Sequence, residues 1–561
     1  MGLSEFMRMS RLKSLVVCVG LTTTALQVNA ENPVVPAAGV SQAQQQAQLQ
    51  QAQLQQTMNE LISALVKKGT ISAEQGALLT KQMRTQPAAV RELPAPKSPD
   101  TLRVPYVPEA VKNALRDEVR IGLREDVVRD IKGQAKQERW GIPGVLPEWV
   151  ERVKIKGDMR LRLQSDLFAD DNPAQTYVNF SELNRVGGFG KSDYPFLNTT
   201  EDRHRERLRL RLGLDAKIND KLLLGTRLAT GNSNDPVSTN QTLGTSARPY
   251  SVLLEQAYLR YNYEYDDYNR LSLWGGRMPN PWVSTDLVWD SDLNFEGVAA
   301  NYRFSFGASD AYADMANSDL PLFITLGAFP LQEVELSTHD KWLVGAQLGG
   351  QWLANNQSAF TVALAYYDYR NLVGERNTLD SKLTDFTAPE FMQKGNTLFD
   401  IRNDTDVATD RWALASDYNE INLILRADLA NFAPVHVVLT GDYVMNEGFK
   451  ESDVSALTGF TEIARTKGYQ LQLAVGWPQI TKADDWRITA AFKHLERDAV
   501  VDAYTDSDFH LGGTDAEGWI MGFEYGVMNN TALNFRWLSA AAIDGPPLGV
   551  DVVQFDINTK F

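Results

Sequence analysis

The sequence predicts an all-β transmembrane barrel of about 16 antiparallel strands, preceded by a short α-helical and coiled-coil region, and three observations predict it. From Val153 to the terminal Phe561 the chain alternates apolar and polar residues in short runs, the mark of strands with two unlike faces. The connections between those runs alternate between long and short. After the first 30 residues no stretch of 18 apolar residues occurs, so the chain holds no ordinary membrane helix.

Composition narrows the classes further. The 71 acidic and 55 basic residues give a net charge of -16, whereas a nonspecific nucleic-acid binder needs a basic surface, so no nucleic-acid partner is expected. Residues 1–30 read as a secretory signal: Arg8, Arg11 and Lys13 precede the apolar stretch Leu15 to Leu21, and Val28-Asn29-Ala30 forms a small-residue exit. Cys18, the only cysteine, lies inside that stretch, so the exported chain has no disulfide or cysteine metal site. No metal and no cofactor is expected.

Residues 31–150 read as a periplasmic region. A Gln- and Ala-rich segment carries Leu54, Met58, Leu61 and Leu65 at 4-3-4 spacing, which fits a short coiled coil and equally a single polar helix. Lys67-Lys68-Gly69 stops that helix, and Ser72 with Gln75 forms a capping box for a second one ending near Met83. A Pro-rich linker from Pro87 to Pro108 leads to a charged helix from about Glu109 to Gln137, ended by Gly141-Ile142-Pro143 and Pro147.

Residues 151–561 read as the barrel. Sixteen alternating runs are centred near 159, 210, 225, 259, 273, 300, 325, 347, 364, 424, 440, 473, 490, 523, 535 and 556. Long connections follow the odd-numbered runs (166 to 201, 230 to 250, 278 to 292, 370 to 418, 446 to 467, 496 to 517), and mostly tight ones such as Asn219-Asp220 and Asn529-Asn530 follow the even-numbered runs. The joint from 305 to 319 is long for a tight turn. Long loops on one rim and short turns on the other describe a bacterial outer-membrane barrel. Tyr261, Tyr263, Trp342, Trp352, Tyr469, Trp477, Trp519, Tyr525, Phe535 and Trp537 fall on the apolar faces, often near strand ends, as interfacial girdles do.

In such a barrel the polar face of each strand must line the lumen, because charge on the lipid side near the midplane costs about 2 to 4 kcal/mol. That rule puts Arg203, Arg205, Arg207, Arg209 and Arg211 in one inward row on the second strand, beside Arg160 and Arg162 on the first, with Arg227 and Arg260 extending the patch. Guanidiniums stay charged beside like charges, and walls of arginine favour anions. Pairing of the row with lumenal carboxylates is the equally weighted alternative. Asp286, Asp290, Asp292 and Glu296, in or just after the third long loop, form the expected acidic counterpart.

The segments EWVERVKIKGDMRLRLQ (Glu148 to Gln164) and GGRMPNPWVSTDLVWDSDLNFEGVAANY (Gly275 to Tyr302), with the terminal strand ending in Phe561, resemble the putative-porin family of Gram-negative outer membranes. The resemblance implies passive diffusion of small hydrophilic or ionic solutes through an outer-membrane channel, with the N-terminal region in the periplasm, and it implies no defined substrate. In similar porins the third long loop folds inward and narrows the channel. The terminal aromatic at Phe561 is similar to the signal read by the barrel-assembly machinery, and a homotrimer embedded in outer-membrane lipid is the expected assembly.

Two other classes compete with a pore. The histidines His204, His339, His436, His494 and His510 show no spacing of a zinc site or nucleophile pair, so an outer-membrane hydrolase is not expected. A scaffold whose helices over residues 41–137 tether the barrel to the envelope is compatible with a pore.

Overall fold

Period-two alternation can satisfy a lipid exterior only if every backbone N–H and C=O is paired strand to strand and no edge is left open. The computed structural model of this protein meets that condition. It describes residues 152–561, apart from 266–268, 306–320, 336, 355, 356 and 405. The expected signal peptide, coiled coil, helical hairpin, Pro-rich linker and charged helix therefore lie outside the described residues, as does nearly all of the joint from 305 to 319.

Sixteen strands form the barrel: β1 Val153–Phe168, β2 Arg203–Lys217, β3 Leu222–Thr230, β4 Val252–Glu264, β5 Arg270–Pro279, β6 Asn294–Ser305, β7 Pro321–Gln332 and β8 Lys341–Leu353, then β9 Ala359–Arg370, β10 Asn419–Phe432, β11 Val435–Asn446, β12 Lys467–Gly476, β13 Trp486–Leu495, β14 Ala516–Met528, β15 Thr531–Ala542 and β16 Gly549–Lys560. Each pairs antiparallel with the next, and β1 pairs with both β2 and β16, which closes the ring. Every expected run centre falls inside one of these strands. A further two-residue strand, Gln241–Thr242, lies against Arg207 and Leu208 of β2.

The long connections are numbered L1 (169–202), L2 (231–251), L3 (280–293), L4 (333–340), L5 (371–418), L6 (447–466), L7 (496–515) and L8 (543–548). At the opposite rim the chain turns tightly. Between β2 and β3, Ile218 N–H donates to Leu222 C=O at 2.9 Å while Asn219 Oδ1 accepts from the Lys221 and Leu222 N–H groups.

The outside is apolar: Leu161, Leu210, Leu212, Leu273, Leu326, Leu364, Leu439, Leu471 and Leu473 are exposed there, with Tyr261, Trp342, Trp352, Tyr469, Trp519 and Phe535 among them. The seam closes on an aromatic. Gly157 N–H donates to Phe561 C=O at 2.9 Å, Phe561 N–H donates back at 3.0 Å, and the Phe561 ring lies over Gly157, where a Cβ would stand 2.3 Å from its Cζ. Only glycine leaves room for that ring, an arrangement in which the aromatic covers the bare backbone of a strand glycine.

The hydrophobic core lies inside the barrel, against one side of its wall. Trp282, Leu287, Val288, Trp289 and Leu293 of L3 pack with Phe295, Phe329, Leu343, Tyr367 and Tyr369 of β6 to β9, with Leu372 and Tyr418 of L5 and with Val500, Val501 and Ala503 of L7. Trp289 and Tyr367 meet edge to face at 5.1 Å, and Trp282 and Tyr367 at 5.3 Å. Gly345 makes room for them, since a Cβ there would lie 2.8 Å from Trp282. L3 and L7 are thus buried parts of the lumen.

Candidate functional site

The site is built on two inward strand faces and two loops. On β1 and β2 the register pairs Arg162 with Arg207, Arg160 with Arg209 and Asp158 with Arg211, so the arginines stand side by side on one face. L3 leaves β5, crosses the lumen and returns to β6. Val283 N–H donates to Gln347 Oε1 at 2.9 Å, Thr285 Oγ1 bonds Asp442, Gln470 Nε2 donates to Asp286 Oδ1 at 2.8 Å, and Lys493 Nζ donates to Asp286 C=O at 2.8 Å. These contacts tie the loop to β8, β11, β12 and β13.

The arginines divide into two groups. Arg162 binds Asp556 through Nε and Nη2 at 2.7 and 2.9 Å, and Arg205 pairs with Asp166. Arg209 and Arg211 each pair with both Asp158 and Asp292, at 2.9 to 3.2 Å, and Arg227 binds Glu255 in a two-pronged pair. Arg160 donates to Asn240 Oδ1 at 2.7 Å, and Arg207 donates to Gln164 Oε1 at 3.1 Å. Among the described residues Arg160, Arg203, Arg207 and Arg260 have no ion-pair partner within 4.0 Å. The structure therefore gives a row that is partly neutralised and partly free.

The four residues expected as the acidic counterpart do not stand together. Asp286 is held apart from the arginines of β1 and β2, on the β12 and β13 side, where Lys493 faces it. Asp292 sits on the arginine wall itself and also accepts from Thr239 Oγ1 at 3.2 Å. Asp290 accepts from the backbone N–H groups of Asp292 at 2.7 Å and Ser507 at 2.9 Å, and burial beside Asp506 and Asp292 raises its carboxyl well above the usual range. Glu296 is outside L3: it stands in β6 beside Arg277 of β5, its side chain 56% exposed. Its neighbour Phe295 takes the inward position, so the alternation turns Glu296 the other way.

L7, expected as the long connection from 496 to 517, enters the lumen, which the sequence did not reveal. It brings Asp506 to within 3.7 Å of Lys493 and Asp508 to Arg162 and Arg536 at 2.9 and 3.2 Å. Lys493 and Arg536 were legible, because both occupy polar positions of alternating strands. The loop's entry was not, because Ser507-Asp508-Phe509-His510 has no periodicity to read. On the short-turn side of L3 a cavity of about 340 Å³ is lined by Asp286, Arg426, Gln472, Arg487, Glu524 and Arg536. On the long-loop side a larger one of about 1060 Å³ is bounded by L1, L2, L3, L5 and L7.

The histidines do not assemble a catalytic group. His436 faces Asp428, His494 faces Glu517, and His510 lies between Lys394 and the Leu548 carbonyl. His204 Nδ1 lies 2.8 Å from Ser165 Oγ, but the two are cross-strand neighbours, and the nitrogen an orienting carboxylate would need is the one the serine occupies. Among the described residues no group of three or more His, Cys, Asp or Glu could hold a metal ion, and no helix is long and apolar enough to cross a membrane.

Comparison with solved structures finds bacterial outer-membrane porins. Salmonella typhi OmpF in complex with daunomycin is 12% identical over 73% of this chain and 97% of its own, with a TM-score of 0.37. Pseudomonas putida OprB at high pH is 12% identical over 75% of this chain and 97% of its own, with a TM-score of 0.42. A loop-deletion mutant of Vibrio cholerae OmpT is 10% identical over 73% of this chain and 99% of its own, with a TM-score of 0.35. Among curated protein sequences none matches the chain. The family model described as a putative porin matches residues 55–561, most of the chain, and the described residues close into a sixteen-strand barrel, so the chain belongs to the putative-porin family, an outer-membrane channel.

Proposed function

We propose that this channel passes small hydrophilic and ionic solutes by passive diffusion across the outer membrane of a Gram-negative bacterium, without enzymatic activity, and that its arginine wall favours anions. The observation that carries the reading is the division of the row: Arg160, Arg203 and Arg207 keep their charge unpaired on the inward face of β1 and β2. A wall of unpaired guanidiniums within a Debye length, about 8 Å at physiological salt, of a passing ion attracts anions. The constriction lies where L3 and L7 meet that wall. The channel works as a homotrimer, its N-terminal region hangs in the periplasm, and Phe561 serves the barrel-assembly machinery as the assembly signal.

Single-channel reversal potentials in a salt gradient test the reading. Replacing Arg205, Arg207 and Arg209 together by Gln should move the reversal potential toward cation preference with the barrel intact. An unchanged reversal potential would refute a selectivity role for the row.

A further inference from the structure

Where β1, β2, β15 and β16 meet, the inward face gathers four guanidiniums, those of Arg160, Arg162, Arg207 and Arg536, around one carboxylate that no strand supplies. Asp508 enters from L7. Arg162 Nη1 donates to its Oδ2 at 2.9 Å and its Oδ1 at 3.3 Å, and Arg536 Nη1 donates to Oδ2 at 3.2 Å. The other two nitrogens of Arg162 are taken by Asp556. Arg160 and Arg207 hold only neutral oxygens, of Asn240, Gln164 and Ser238. The four guanidiniums thus face the carboxylates of Asp508 and Asp556, with Asp506 behind Asp508 and Lys493 beside Asp506.

We propose that this cluster is a binding station for the carboxylate of a permeating solute, and that Asp508 is its built-in occupant, which the solute's carboxylate displaces in transit. The proposal rests on the channel reading above and names the solute class that the channel handles. Guanidinium forks match a planar carboxylate, so a solute carboxylate can make the same bonds Asp508 makes. Conduction requires sites that attract a solute yet release it. A tethered carboxylate supplies the release, because its local concentration is set by the loop and is high, in the millimolar range for short tethers. The displacement needs only the Asp508 side chain to swing, because its neighbours are fixed: Ser507 N–H donates to Asp290, Phe509 is buried in a core cluster, and His510 lies between Lys394 and the Leu548 carbonyl. In its seated position the loop carboxylate is anionic, since burial is outweighed by Arg162 and Arg536, which hold the Asp508 carboxyl far below its usual range. Arg536 also lines the cavity of about 340 Å³ on the short-turn side, so a released solute has a polar chamber ahead of it.

The test uses the full-length chain in planar bilayers, with potassium gluconate added to a KCl bath and glucose as the uncharged control. In the wild-type chain gluconate should cause brief current interruptions. Asp508→Asn should uncover the station and lower the half-blocking gluconate concentration about tenfold, the worth of a charged hydrogen bond. Adding Arg207→Gln to that variant should cancel the gain, and Arg207→Gln alone, with L7 intact, should raise the half-blocking concentration several-fold. Glucose should be indifferent to all of these. If Asp508→Asn fails to conduct KCl normally, the Arg207→Gln result decides. Normal KCl conductance with gluconate block unaltered by either substitution overturns this proposal alone, and a wild-type chain without KCl conductance overturns the channel reading together with it.

Discussion

The pair Arg162 and Asp556 staples the closing seam, and breaking it should be among the costliest single changes in the protein. Arg162 belongs to β1 and Asp556 to β16, and both side chains are 1% exposed. Arg162→Met removes both Asp556 bonds and one of the two guanidiniums on Asp508, leaving a buried carboxylate without a partner. Removing one member of a buried pair typically costs about 3 to 5 kcal/mol, whereas replacing both by apolar side chains is often near neutral. Arg162→Met/Asp556→Leu should therefore recover most of the loss, since Arg536 still holds Asp508. Urea unfolding in detergent micelles, followed by tryptophan fluorescence and by heat-modifiable migration, measures the full double-mutant cycle. A single-mutant cost below about 1 kcal/mol, or additive costs in the double mutant, would mean that lumenal water solvates these groups and that the seam is held by its backbone ladder alone.

Three other outcomes follow from particular residues. Phe561→Asp and Gly157→Val both remove the ring-over-glycine closure and should slow membrane insertion, measured as the rate at which heat-modifiable protein appears; normal assembly of both would show that the terminal aromatic is dispensable. Leu471→Arg, at a lipid-facing position 63% exposed, should cost about 2 to 4 kcal/mol while Gln472→Arg, one residue on and lumenal, should be nearly neutral; equal costs would refute the assignment of faces. Burial beside Asp498 pushes the Asp502 carboxyl in L7 up to about 7, from an ordinary value near 3.8. The folded chain thus binds that proton more tightly than the unfolded chain, so the stability it contributes is full below pH 3.8 and is lost as the pH rises through 7. Asp502→Asn, fixed in the protonated shape, should flatten that part of the stability profile, and an unaltered slope between those values would sink the argument.

The barrel was legible because its rule is local. Leu208, Leu210 and Leu212 alternate with Arg207, Arg209 and Arg211, and neither a helix nor a slipped register can keep those sets apart. The interior was much less so. Tyr367 and Tyr369 occupy inward positions that the polar-inside rule assigns to hydrophilic residues, and they are apolar because Trp289 of L3 and Tyr418 and Tyr504 of L5 and L7 pack on them. Such contacts join residues far apart in the chain and leave no period behind. The same holds for Asp508: nothing in a loop sequence tells which carboxylate will turn back into the lumen. Glu296 shows the limit at an element boundary, where two residues of strand after the loop were enough to move it from the expected constriction to a cross-strand pair with Arg277.

Five arginines at alternate positions of one strand pose a problem that the pairing pattern answers. Two residues of strand separate them by about 7 Å, at which like charges repel by about 0.6 kcal/mol in water and about 2.4 kcal/mol at an effective dielectric of 20. Asp166 and Asp158 from β1 and Asp292 from L3 relieve that repulsion at Arg205, Arg209 and Arg211, and leave Arg203 and Arg207 charged. A fully paired row would offer a passing ion nothing, and a fully free one would oppose folding. Asp292 is the member that sets the balance, because it alone comes from a loop and it serves two arginines at once, at 3.1 and 3.2 Å. Asp292→Asn should therefore release charge on Arg209 and Arg211 together and move the reversal potential further toward anions. Arg209→Gln should move it toward cations by less than the loss of a free arginine such as Arg207 does, since its charge is already offset by Asp158 and Asp292. Reversal potentials of the three single variants in one salt gradient rank these effects. An Asp292→Asn channel with the wild-type potential would mean that permeating ions do not feel the row, and that its arginines serve only to fill and brace the lumen.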